Sequence, residues 1–256
     1  MQISELKTFL DEKATFYNQP DFIENDPIQI PHLFSLKQDI EIAGFLTATI
    51  AWGNRKSIID DAKKMLAYMD NSPYDFIQNF NKKNLDTISD KAIHRTFSSE
   101  DFKIFLLNLK KMYANSESLE KYFLLRNEET NCYHALERFR NSFLGENNLH
   151  RSQKHVASTY KNSSAKRLMM YQRWMVRKDN KGVDFGIWEN ISPSVLSIPL
   201  DVHTGNIGRK LGIIQRKQND WKTVVEMDNT IRKMDPNDPA KYDFALFGLG
   251  VSGDFD

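Results

Sequence analysis

The chain has 256 residues, 40% apolar and 27% charged, enough for a sizeable core and too apolar for wholesale disorder. A single cysteine, Cys132, excludes an intramolecular disulfide framework, a Cys-rich zinc site and a four-cysteine iron–sulfur cluster. No apolar run approaches the roughly 18–20 residues that cross a bilayer, the first residues lack signal-peptide character, and a cytoplasmic location with no membrane partner is expected.

With 11 glycines, 8 prolines and little alternation of apolar and polar residues, helix is the economical reading almost everywhere. An amphipathic helix is predicted at 3–17, followed by an acidic loop through Pro31. Residues 39–51 become apolar all round, as a buried helix does, and Gly53-Asn54 ends them. A second helix restarts over 55–70, with Ile58, Ile59, Ala62, Met65, Leu66 and Met69 at helical spacing. Ser99 opens another, and further helices are predicted at 117–124, 131–144 and 149–161.

Residues 165–178 form the most apolar helix, and its basic exceptions Lys166, Arg173 and Arg177 fall near one stripe. Helices 202–211, 220–233 and 239–248 complete the chain. No internal repeat or low-complexity linker interrupts it. One all-α domain is therefore expected over 1–256, a core bundle 38–201 packed by the segment 1–37 and the helices of 202–256.

The near-zero net charge of +1 hides an asymmetry. Residues 1–44 hold eight acidic side chains against three basic ones, whereas 151–182 hold nine Lys and Arg against Asp179 alone. Such a basic stretch is either a solvated helix face or a footprint for phosphate.

Asp201 sits behind Pro199 at the mouth of helix 202–211, where its carboxylate is fixed in place as an N-cap, accepting from the N–H groups near His203 and Thr204. Lys166, 35 positions earlier, opens the apolar helix. If the two meet, an amine and a carboxylate could act together on a sugar carbon. The plainer readings are an exposed first-turn lysine and an acid that only caps. Neighbouring Arg167 and Arg173, with apolar Met169, Met170 and Trp174, would favour the neutral, nucleophilic amine at Lys166.

These residues carry a resemblance. Ala165-Lys166-Arg167-Leu168 and Pro199-Leu200-Asp201-Val202-His203 are similar to the lysine-bearing helix and the Pro-x-Asp-x-His segment of the helix-hairpin-helix DNA glycosylases. The long spacing between them most resembles the archaeal 8-oxoguanine glycosylases, and the chain also looks like an uncharacterised bacterial branch of the fold. The matched segments cover about a third of the chain.

The resemblance implies a glycosylase-like fold of two helical lobes around a cleft, no cofactor, no obligate protein partner, and double-stranded DNA with a damaged base as partner. Lys166 would be the nucleophile and Asp201 the catalytic aspartate, whose charge stabilises the sugar cation. His203 would contact backbone phosphate, and the hairpin residues Lys161, Ser163 and Ser164 with the helix residues Arg167 and Arg173 would bind DNA; the turn residues Asn54 and Arg55 would face the minor groove and fill the gap left by the flipped base.

The family's hairpin carries a Gly-x-Gly turn, whereas this one reads Lys161-Asn162-Ser163-Ser164, without glycine. A flipped base needs a stacking platform, for which Trp52, Trp188, Phe244 and Phe247 are candidates, and Asp243 could accept from a purine edge. Arg209 and Lys210 are expected in solvent, and the histidines show no spacing suited to a metal. A non-catalytic nucleic-acid-binding module and a scaffold for a protein partner are the rival classes.

Overall fold

The computed structural model describes residues 2–88, 92–145 and 150–253. Every regular element among them is helical: α1 (Ile3–Tyr17), α2 (Asp21–Glu24), α3 (Lys37–Thr49), α4 (Arg55–Tyr68), α5 (Pro73–Asn79), α6 (Lys82–Asp86), α7 (Ser99–Tyr113), α8 (Tyr133–Leu144), α9 (Lys166–Val176), α10 (Val202–Lys210), α11 (Trp221–Met234) and α12 (Tyr242–Ser252), with short 3-10 turns between. The all-α class read from the sequence holds. No described helix is long and apolar enough to cross a membrane.

Two expectations are corrected. The helix at 117–124 is a 3-10 turn, Leu119–Phe123. The helix at 149–161 starts on a residue outside those described, and from there the chain makes only the turn Arg151–His155. Tertiary bonds take over its backbone there. Arg140 donates through Nε to the Val156 carbonyl at 3.1 Å, which a helix would have used internally.

The chain divides into two compact units. Unit 1 comprises Met1–Phe22, Leu125–Glu137 and Ser158–Asp256, and unit 2 comprises Ile23–Leu124 and Arg138–Ala157.

Unit 2 is built on α3, whose residues are buried continuously from Ile40 to Thr49. Phe45 stacks on Phe105 and meets Phe139 and Phe143 edge-on, an aromatic core in which each buried ring contributes about 1.5–3 kcal/mol. The same helix buries a carboxyl. Glu41 is fully buried and accepts from the Tyr113 hydroxyl at 2.7 Å, the Leu119 N–H at 3.0 Å and the Ser118 hydroxyl. Glu41→Ala strands the two buried donors on Tyr113 and Leu119, at about 1–3 kcal/mol each before relaxation, and frees the half-buried Ser118 hydroxyl. We expect a loss of at least ~2 kcal/mol in urea unfolding, and a smaller one for Glu41→Gln, which keeps one acceptor.

In unit 1, α12 packs against both α1 and α10. Two glycines permit it. A methyl group at Gly248 would collide with the Tyr17 ring, and one at Gly250 would stand 2.7 Å from the His203 Cβ. The close approach lets the His203 Nδ1–H donate to the Gly250 carbonyl at 2.8 Å.

Candidate active site

Unit 1 holds both Lys166 and Asp201. Asp201 caps α10, its side chain accepting from the Thr204 N–H at 2.8 Å, and stays half-buried. The helix start presents its unpaired N–H groups and the positive end of its dipole there. Lys166 occupies the first turn of α9 and is half-buried.

The turn before α9 takes shape without glycine. Asn162 (φ 62°) and Ala165 (φ 48°) adopt the left-handed conformation that glycine usually supplies; asparagine is the side chain that tolerates it best. Ser163 Oγ accepts from the Ala165 N–H at 3.2 Å, and Ala165 itself brings no capping oxygen to α9.

One three-residue segment joins this turn to Asp201. The Asn219 side-chain amide donates to the Asp201 carbonyl at 2.9 Å. Next to it, Asp220 bridges Ser163 and accepts from the Asn162 amide at 3.0 Å, and the Trp221 N–H donates to the Asn162 carbonyl at 3.1 Å. Three residues reach at most about 10 Å, so the approach to Lys166 and the base of Asp201 share one neighbourhood.

Asn219 is itself held. Arg209 donates to its Oδ1 at 2.6 Å and to the carbonyls of Arg216 and Lys217. Arg209 was expected in solvent; it braces the segment instead. Gly205 makes room, since a Cβ there would press on Asn219 and Arg209 within 2.9 Å. No local pattern announced Asn219, because its partner lies 18 positions away.

Other expected site residues fall differently. Lys161 is exposed, while Ser163, Ser164 and Arg167 are half-buried on or beside the turn. Burial pushes the Arg167 guanidinium down to about 10, which leaves it cationic at neutral pH. His203 is exposed, and its ring meets Phe247 edge-on at 6.1 Å. With Nδ1–H engaged by Gly250, the neutral ring carries only a lone pair at Nε2, so donation to a phosphate requires the doubly protonated form.

Arg173, expected to bind DNA, is turned inward instead. It is 4% exposed, and its guanidinium is held by Asp184 at 3.2 Å and by Asp243. Two buried carboxyls thus answer the charge of Arg173. The same pairing removes Asp243 from the base pocket, because its carboxyl is buried and points at Arg173.

Arg177, one turn on, binds Asp179 at 2.7 Å, Asp238 at 3.0 Å and Asp184 at 3.2 Å. Both guanidiniums lie over the Phe244 ring, at 4.4 and 5.3 Å from its centroid. Phe244 is therefore core and no stacking platform, and Trp188, 1% exposed against Tyr171, is core as well. Phe247 remains half-buried.

In unit 2, Asn54 caps α4 by accepting from the Ser57 N–H at 3.2 Å, and Arg55 is half-buried behind it. Trp52 is also half-buried, stacked on His155 at 5.9 Å and edge-on to His94 at 5.0 Å. His94 is anchored by Asp61 at 2.6 Å and by the Trp52 carbonyl at 2.9 Å, so the indole is held rigidly. Gly53 turns the chain there with φ 100°, and the Arg95 side chain fills the space a Cβ would need.

A search of curated proteins returned no match, and neither did a search of solved structures. A family model described as "Protein of unknown function (DUF2400)" matches residues 26–252, most of the chain, which therefore belongs to that family.

Proposed function

We propose that the protein is a DNA glycosylase of the helix-hairpin-helix kind, with associated AP lyase chemistry, acting on an oxidised purine such as 8-oxoguanine. The observation that carries the reading is the segment Asn219-Asp220-Trp221, which ties the turn before Lys166 to the backbone of Asp201. A nucleophile and a charge 35 positions apart need such a tether to act on one sugar. The substrate class follows from the resemblance of the Lys166 and Asp201 segments to that family.

On this reading the damaged nucleotide leaves the duplex stack, at a cost lowered by the damage. The neutral Lys166 amine attacks C1′ as the C1′–N bond breaks, and the base departs with the bonding pair and takes up a proton. The C1′–O4′ bond then breaks with its electron pair going to O4′, which takes up one of the amine's protons as the ring opens, and loss of the second proton leaves the imine. Asp201 stabilises the positive charge that builds on the ribose, and needs no cofactor to do so. The hairpin turn with Lys161, Ser163 and Ser164, then Arg167 and His203, would meet the phosphates. The turn with Asn54 and Arg55, beside rigid Trp52, would face the duplex.

Borohydride reduction in the presence of an 8-oxoguanine duplex or an abasic duplex tests this directly. A covalent protein–DNA adduct is expected from the wild type, with a loss of more than about 10³-fold in Lys166→Gln. Duplex affinity should persist in that variant and fall steeply with salt. Salt-dependent binding with no adduct and no base release on either duplex would leave a non-catalytic nucleic-acid-binding protein.

A further inference from the structure

Helix α11 holds more than the Asn162 turn. Further along it, Asp228 and Arg232 grip the chain that leads into Asp201. Asp228 accepts from the Ser197 hydroxyl at 2.6 Å, and Ser197 is buried. Arg232 donates to the Leu196 carbonyl at 2.7 Å and to the Ser194 carbonyl, and its guanidinium stands 3.5 Å from Asp228.

From Ser197 the chain runs through Ile198, Pro199 and Leu200 to Asp201 without a helix or turn. Pro199 locks its own φ and confines Ile198 to extended backbone, and Ile198 is β-branched as well. The result is a short, stiff strut. Ile198 and Leu200 are each 1% exposed. Apolar burial is non-directional, so these side chains keep the strut inside without fixing where along its length it stops. Hydrogen bonds fix its two ends. Asp228 and Arg232 hold the start, and Asn219 holds the Asp201 carbonyl at the finish.

We propose that Asp228 and Arg232 are positioning residues for Asp201, setting the place of its carboxylate through the strut 197–200. The helix that carries them starts on Trp221, whose N–H holds the Asn162 carbonyl. One rigid element thus governs both the turn before Lys166 and the approach to Asp201. The inference rests on the glycosylase reading for the reaction served; the place of the carboxylate belongs to the free protein.

The first arm of the test is amide hydrogen exchange, followed by NMR, on the free, full-length protein. The Thr204 N–H donates to the Asp201 carboxylate at 2.8 Å, so its exchange reports where that carboxylate sits. Arg232→Met removes the donors to Ser194 and Leu196, and the Thr204 amide should exchange about 10-fold faster. The Leu246 amide, inside α12 of the same unit, should keep its rate. Arg232→Lys, which can still donate, should fall between the two. Ser197→Ala takes only one hydroxyl from the clamp; it should act in the same direction, and it carries the test if Arg232→Met does not fold. A Thr204 rate unmoved in the folded variants, or one that rises only together with Leu246, overturns the proposal.

The second arm is single-turnover base release from an 8-oxoguanine duplex. Arg232→Met and Ser197→Ala should each slow it by about 10-fold, with duplex affinity unchanged. Added to Asp201→Asn, the same substitutions should slow it no further, because the charge they misplace is already gone. Equal slowing in both backgrounds would mean a general loosening and would also overturn the proposal. No release from the wild type counts against the glycosylase reading, and the exchange measurement then decides the strut by itself.

Discussion

Asp201→Asn should lower single-turnover base release by about 10²–10³-fold while leaving the fold and duplex affinity in place. The two roles of this residue separate cleanly in that variant. As a cap, Asp201 needs only an oxygen for the Thr204 N–H at 2.8 Å, which asparagine provides with little change in helix stability. As an electrostatic group it needs its charge, which asparagine lacks. Its main-chain carbonyl, bound by Asn219 at 2.9 Å, is untouched by the exchange, so the tether to the turn before Lys166 survives. Quench-flow base release on an 8-oxoguanine duplex, with circular dichroism melting of the same samples, checks both halves. Unchanged release with an unchanged melt would remove Asp201 from the chemistry.

The largest effect on stability is expected at Arg177. Its guanidinium is 4% exposed and serves Asp179, Asp184 and Asp238 while lying over Phe244. Arg177→Ala leaves those carboxyls facing one another in a poorly solvated interior, and breaking a buried pair in this way costs about 3–5 kcal/mol. Arg177→Lys should recover only part, because a single ammonium cannot serve three carboxylates as a planar fork does.

The loss should depend on pH. Burial already raises the carboxyls of Asp184 and Asp238 above the ordinary range, and removing the cation raises them further. A carboxyl raised in the folded state binds more protons folded than unfolded, so stability rises as pH falls through the folded value. The deficit of Arg177→Ala in urea unfolding should therefore shrink from pH 8 to pH 5. A deficit constant across that range would mean that the lost packing on Phe244, and no charge, is responsible.

The helices were legible wherever the apolar spacing ran for three turns or more. Helices α1, α4 and α11 match the expected spans to within two residues or so at each end, and α7 starts at Ser99 as expected. The short α5 and α6 were missed, since seven and five residues show too little of a 3.6-residue period. The basic stripe of α9 was seen, but its meaning was inverted. Arg173 and Arg177 looked like a surface for phosphate because their partners Asp184, Asp238 and Asp243 come from later segments. Charge read along the chain cannot distinguish a solvated stripe from a buried one. The cap at Asp201 was legible because its acceptor and donor lie three residues apart; the Asn219 tether was not, for the opposite reason.

The assembly of unit 1 from three separate stretches of chain has a consequence for how it forms during synthesis. Residues near the N-terminus cannot reach their final packing until Gly248 and Gly250 have left the ribosome, for α1 docks on that last helix. Until then the guanidiniums of α9 lack both Phe244 and Asp243. Unit 2, drawn largely from one continuous stretch, closes shorter loops and can fold earlier. A nascent protein halted before its closing helix would thus carry one finished half and one that is still open, the half that any protease or chaperone would find first.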